Sequence, residues 1–227
     1  MASTQTLQGL SKPRLIYRAP ENSEEDIAFF HDLINDPTIQ TLSTRRLPHP
    51  SHKKSAEEFI KTLQDAILGV VICLPQNSAE AETTSSTETQ VLNEPGQASN
   101  PVPIGHLSLF SVTGPGYAHH RNAMIGISLA DGFRGKGYGG EAINWALDWA
   151  FQHLGLHRVS IGACSFNRDA LKLYRKLGFV DEGREREAVY HRRAWHDIVS
   201  LSMLEHEWEV LRGMALVQSD LTPQSSS

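Results

Sequence analysis

The sequence predicts an α+β fold: one mixed, mostly antiparallel sheet in the order β-α-α-β-β-β-α-β-α-β-β. Three observations carry it. Short apolar or alternating runs closed by Pro or Gly recur along the chain and read as strands. Longer stretches with apolar residues three and four apart read as helices. One β-α-β unit sits among antiparallel hairpins, and its crossover forces a single parallel strand pair. The chain has 227 residues, with 40% hydrophobic and 21% charged, so it can bury a sizeable core. Lys+Arg 21 against Asp+Glu 26 leaves a net charge of −5, which excludes a basic nucleic-acid or anionic-membrane surface. Two cysteines, Cys73 and Cys164, exclude a disulfide scaffold. No run approaches the roughly 18 apolar residues that span a bilayer. Met1–Leu10 lacks the basic and apolar regions of a leader. A cytoplasmic, reducing setting is the expectation.

The elements follow in order. Residues 1–12 are polar and expected to be flexible; residues 13–212 form one domain. Arg14–Arg18 is a short strand stopped by Pro20. Ser23 opens a helix with Asp26 three residues on, a variant capping box, and Ile27, Phe30 and Ile34 form its apolar face. Pro37 follows its end, and Arg45–His52 is a loop. Ser55 and Glu58 form a second capping box, opening a helix faced by Phe59, Leu63 and Ile67. Gly69–Leu74 is a strand. Residues 76–102 are rich in Ser, Thr, Glu, Asn and Pro and read as a disordered insertion at a hairpin tip. Ile104–Phe110 and Ala123–Leu129 are strands. Glu141–Leu154 is the best helix, with Ile143, Leu147, Ala150 and Leu154 on one side and Gly155 suited to its end. Val159, Ile161 and Ala163 alternate as a strand. Asn167 caps a helix faced by Ala170, Leu173, Tyr174 and Leu177, ended by Gly178. Phe179–His191 and Asp197–Leu204 form a hairpin. Residues 213–227 are a flexible tail.

The densest chemistry lies in Arg134-Gly-Lys-Gly-Tyr-Gly-Gly140, between a strand and the best helix. Glycines bring backbone N–H groups close to a ligand, and the helix points its positive end at the same spot, so the loop suits a phosphate. A P-loop is excluded, because no G-x-x-x-x-G-K-[ST] run exists. Gly135, Gly137 and Gly140 match G-x-G-x-x-G, but the acid that a dinucleotide fold places after the next strand is missing from Cys164-Ser165-Phe166. A turn without a ligand leaves the conformational freedom of four glycines without a purpose.

Arg134-x-x-Gly137-x-Gly139 resembles the R/Q-x-x-G-x-G/A signature of the GNAT acetyltransferase superfamily. Asn167-x-x-Ala170-x-x-Leu173-Tyr174-x-Lys176-x-Gly178-Phe179 resembles its second block. Trp195-His-Asp197 and Leu204-Glu-His-Glu-Trp208 resemble the ribosomal-protein-alanine and spermidine acetyltransferase subgroup. The resemblance is strong over Ile104–Trp208, weak over Arg14–Leu74, and leaves out the insertion and both termini. It implies a GNAT-like sheet whose parallel pair splays apart, acetyl-CoA as donor, and an amine acceptor. It implies that Arg134, Gly135, Lys136, Gly137, Tyr138 and Gly139 hold the diphosphate. It implies that Asn167 contacts the coenzyme arm, and that a bulge near Leu129 frees an N–H for the thioester carbonyl.

Amine attack on a thioester is helped by a base for the amine and an acid for the departing sulfur. Tyr174 is the acid candidate, since a phenol of pKa about 10 is protonated at neutral pH; its place on an apolar helix face also suits a core tyrosine. Asn167 serves equally as a helix cap. The base stays open: His120 and His106 are candidates, as is water, and His119 points away from His120 if both lie on a strand. Arg184 and Arg186 share a strand face with the look of a solvated hairpin. Trp145 and Trp149 suit packing or a dimer patch, and a monomer or homodimer is expected. No metal is expected. A second reading, from another class, is a CoA-binding sensor or scaffold without catalysis; another acyl group or an alcohol acceptor also remains open.

Overall fold

The computed structural model describes residues 14–43, 45–76, 100–112 and 114–214. The elements are β1 (Ile16–Arg18), α1 (Glu24–Asn35), α2 (Pro37–Ser43), α3 (Lys53–Gln64), β2 (Leu68–Leu74), β3 (Val102–Phe110) and β4 (Asn122–Leu129). They continue with α4 (Tyr138–Gln152), β5 (Arg158–Cys164), α5 (Arg168–Lys176), β6 (Val180–His191), β7 (Ala194–Leu204) and α6 (Glu205–Leu211). A 3₁₀ turn, Pro115–His120, precedes β4. One seven-stranded sheet has the order β1-β2-β3-β4-β5-β7-β6. Every neighbouring pair is antiparallel except β4 and β5. The α+β class and the single parallel pair are as the sequence predicts. The expectations for the two termini and most of the insertion lie outside the described residues.

Four local expectations are corrected. Pro37 does not merely follow a helix; it opens α2 at a position where its missing N–H goes unused. Asp36 Oδ1 caps that helix, accepting from the N–H groups of Thr38 (2.7 Å) and Ile39 (3.3 Å). The helix α3 starts at Lys53 with His52 as its cap, so Ser55 and Glu58 form no capping box. In α1, Ser23 Oγ does accept from Asp26 N–H (3.2 Å). The Asp26 carboxylate, however, turns to Arg18 and to the N–H of Glu21 (2.7 Å) instead of back to Ser23. Finally, α6 was not anticipated; Glu207 accepts from Leu204 N–H at its start (2.8 Å), and buried Trp208 donates to Asp148 (2.8 Å).

The two faces of the sheet carry different helices. On one, Leu107, Leu109, Ala123, Ile125, Val159 and Ile161 pack under Ile143, Leu147 and Ala150 of α4. On the other, Val71 and Cys73 meet Ile27, Phe30, Leu33, Ile60 and Leu63 of α1 and α3. Full burial of a side chain such as Phe30 or Leu147 stabilises by about 1.5–3 kcal/mol. The second face carries the buried polar residues His106, Ser108 and Ser128, beneath the place where β4 and β5 separate.

Candidate active site

The parallel pair is closed at one end and open at the other. β4 and β5 pair only over Asn122–Met124 and Arg158–Ser160. The closed end is reinforced where the Arg121 carbonyl accepts from the N–H groups of His157 (2.7 Å) and Arg158 (3.3 Å). Beyond Met124 the two strands continue to Leu129 and Cys164 without pairing to each other.

Backbone alternation shows which groups border the gap. Ala130 N–H donates to Ile104 (2.8 Å), continuing the β3–β4 register, so even-numbered residues of β4 bond to β3. Ile127 and Leu129 therefore turn their backbone groups toward β5. On β5, Ser165 N–H donates to Asp197 (2.8 Å) and the His157 carbonyl accepts from Glu205 (2.9 Å), so odd-numbered residues bond to β7. Gly162 and Cys164 therefore face β4. The expected bulge near Leu129 is not there: β3 and β4 pair in unbroken register from Phe110–Met124 to Gly105–Leu129. Leu129 N–H reaches the gap by ordinary alternation.

The glycine loop crosses the open end. Gly132, Gly135 and Gly137 have φ of +80°, +75° and +89°, left-handed values that bulkier residues rarely adopt. Gly137 caps α4, whose first turn then faces the gap. Gly139 and Gly140 are small for a different reason. A Cβ on Gly139 would meet Leu129 (3.8 Å) and Leu173 (3.7 Å), and one on Gly140 would meet Leu173 at 3.3 Å. The start of α4, the end of β4 and the middle of α5 therefore converge.

Two side chains of the predicted phosphate loop have partners within the protein. The Arg134 guanidinium donates to the Leu129 carbonyl (Nε, 2.9 Å) and to Asp36, with Asp131 3.7 Å away, so its side chain is already engaged. Tyr138 is 2% exposed beneath the Arg14 guanidinium, 4.7 Å from the ring centre. Lys136 Nζ lies 5.7 Å from the Phe133 ring centre. Arg14 was missed by the sequence; it bridges Glu141 (3.0 Å) and the Lys136 carbonyl (3.4 Å) at the edge of the loop.

Tyr174 and Asn167 both lie on the α5 side. Asn167 Oδ1 accepts from Ala170 N–H (3.3 Å), so it is a helix cap. Tyr174 is 7% exposed and follows Leu173, which touches the loop glycines. Burial pushes its phenol up to about 12, so it is protonated at neutral pH. The histidines do not join this cluster. His120 ends the 3₁₀ turn at the closed end; β4 then runs roughly 23 Å, at about 3.3 Å per residue, before Leu129. His106 pairs with Ser128 across the strands and is walled by Phe59 (5.0 Å) and Phe30 (6.3 Å). Its Nδ1 is buried without a partner, and burial lowers its pKa to about 4. Among the described residues no three His, Cys, Asp or Glu side chains gather as a metal site. Among them, too, no helix is long and apolar enough to cross a membrane.

A splayed parallel pair capped by a glycine turn and a helix N-terminus is the arrangement expected of a GNAT coenzyme A site, and the chain belongs to the GNAT acetyltransferase family. The family model for the acetyltransferase (GNAT) domain matches residues 14–180. The chain is 30% identical over 171 residues to a protein named ribosomal N-acetyltransferase YdaF of Bacillus subtilis (strain 168), covering 73% of this chain and 93% of that protein. It is 33% identical over 89 residues to spermidine N(1)-acetyltransferase of Vibrio cholerae, 39% of this chain and 51% of that one. The crystal structure of the Vibrio cholerae spermidine N-acetyltransferase in complex with CoA and spermine superposes with a TM-score of 0.65 at 25% identity, covering 86% of this chain and 98% of that one. This protein is an acetyl-CoA-dependent N-acetyltransferase.

Proposed function

We propose that the protein transfers an acetyl group from acetyl-CoA to a primary amine by direct attack within a ternary complex. The observation that carries this is the parting of β4 from β5 directly beneath the left-handed glycine turn. The N–H groups of Gly135–Gly139 and the start of α4 hold the diphosphate, with Lys136 adding charge. The pantetheine arm lies along Ile127 and Leu129 as a substitute strand. The thioester carbonyl accepts from Leu129 N–H.

The neutral amine attacks that carbonyl carbon, and the developing oxyanion stays on Leu129 N–H, a contact of the kind worth about 3 kcal/mol. The C–S bond then breaks, Tyr174 donates its phenolic proton to the departing sulfur, and the amine nitrogen loses a proton to solvent. Neither histidine serves as base in this scheme: His120 is at the wrong end of the strand, and His106 holds a proton too weakly. The curated relatives named for ribosomal and spermidine acetylation support a protein N-terminus or a polyamine as acceptor. The test is thiol release from acetyl-CoA with spermidine and with peptides bearing free N-termini. Release with one of these supports the proposal; coenzyme A uptake without release from any amine supports the sensor or scaffold.

A further inference from the structure

The helix α2 packs over both β4 and β5, so it roofs the gap. It does so from the face opposite α4. Ser128 lies one residue before Leu129 and therefore points to the other side of the sheet. Ser128 Oγ donates to Ser43 Oγ at the last residue of α2 (3.1 Å). The first turn is held differently. Asp36 spends one carboxylate oxygen on capping α2 and the other on Arg134. Arg134 in turn holds the carbonyl of Leu129, the residue whose N–H borders the gap. No residue of α2 is buried, so apolar packing alone does not fix this short helix. Ile39 leans on the α1–α3 cluster, and Gln40 Nε2 donates to the carbonyls of Ile34 (2.8 Å) and His49 (2.8 Å), while Ser43 and Asp36 are the ties that reach β4 and the glycine loop. Desolvation raises the Asp36 pKa, but the Arg134 guanidinium and the Thr38 and Ile39 N–H groups outweigh it and hold the carboxyl below its usual range.

We infer that Asp36 and Arg134 are positioning residues: their ion pair ties α2 to the donor loop, so that coenzyme bound at the loop orders α2. The inference rests on the donor-site reading given above. The arginine of the glycine signature then acts as a strut between α2 and the end of β4, while the loop amides take the diphosphate. Ordering of the loop by acetyl-CoA is transmitted through Arg134 and Asp36 to α2.

The test separates the strut from the cap. Asn caps helices about as well as Asp, so Asp36→Asn keeps the N-cap and removes the charge pair with Arg134. Hydrogen–deuterium exchange of the segment Pro37–Ser43 is followed with and without acetyl-CoA, in the wild type and in Asp36→Asn. Calorimetry with coenzyme A runs alongside. In the wild type, acetyl-CoA is expected to slow exchange of α2 at least threefold. In Asp36→Asn, α2 exchanges at least threefold faster without ligand, and acetyl-CoA no longer protects it, while coenzyme A affinity stays within threefold. Equal protection in both proteins overturns the inference, as does an α2 indifferent to acetyl-CoA in a wild type that binds it. If the wild type takes up no coenzyme A, it is the donor-site reading that fails; the strut then stands or falls on the ligand-free exchange of Asp36→Asn alone.

Discussion

The same two strands behave in opposite ways at their two ends. At the start of β4 and β5, three residue pairs and the Arg121 carbonyl close the sheet. At the far end the strands part, and glycines, a helix N-terminus and Leu173 of α5 gather around the opening. The segments adjoining each end account for the difference. The closed end adjoins a 3₁₀ turn carrying His119 and His120 and the short helix α6, whose Glu205 N–H donates to the His157 carbonyl (2.9 Å). The open end leads into Gly132–Gly140, where left-handed backbone lets the chain turn tightly enough to present its N–H groups. Histidines in a sequence draw the eye to the closed end; the glycine turn and the start of α4 lie at the other.

The contrast is sharpest at Tyr174. Tyr174→Phe is expected to lower kcat by about 10²–10⁴-fold, the usual worth of a positioned acid, with coenzyme A affinity within twofold by calorimetry. Comparable losses in both would make the tyrosine a packing residue. Beneath the open end, His106 gives a stability signature. Its pKa is near 4 in the fold against about 6.5 unfolded, so the unfolded chain takes up the proton first. Stability is full above about pH 6.5 and falls by on the order of 3 kcal/mol as pH drops toward 4. Asp26 and Asp36 have lowered carboxyls and destabilise only below about pH 4, outside this window. His106→Gln is expected to flatten urea-midpoint profiles between pH 6.5 and 4, and an unchanged slope would count against the burial effect. Gly137→Val forces a branched residue to φ +89° and brings Cβ to 3.3 Å from Arg14, so coenzyme A binding weakens about tenfold or more. The smallest effect belongs to the closed end: His120→Ala should leave kcat within twofold, and a larger drop would move the site.

Much of this was legible in the residues. Spacing alone placed the β-α-β unit, the glycine loop and the capping Asn167, and Gly178 ends α5 at φ +98° as its position suggests. The missed helix α2 shows why the rest was not. It is seven residues long, with only half-buried Ile39 and Leu42 as an apolar pair, too little to read as a helix face; its signal is Asp36-Pro37, a cap followed by a first-turn proline. The tie between Asp36 and Arg134 spans ninety-eight positions, and no local pattern encodes it. The bulge implied by the family near Leu129 is likewise not a property of these residues, since the β3–β4 register runs straight through. His120 stood among the candidate bases because composition does not say which end of a strand a residue occupies; the structure sets it at the start of β4.

The most direct measurement is a crystal structure with coenzyme A bound. The diphosphate should lie on the Gly135–Gly139 amides, with the arm along Ile127 and Leu129 and the sulfur between β4 and β5 near Tyr174. A coenzyme bound at the His119–His120 end, or strands β4 and β5 hydrogen-bonded along their whole length in the complex, would contradict the account.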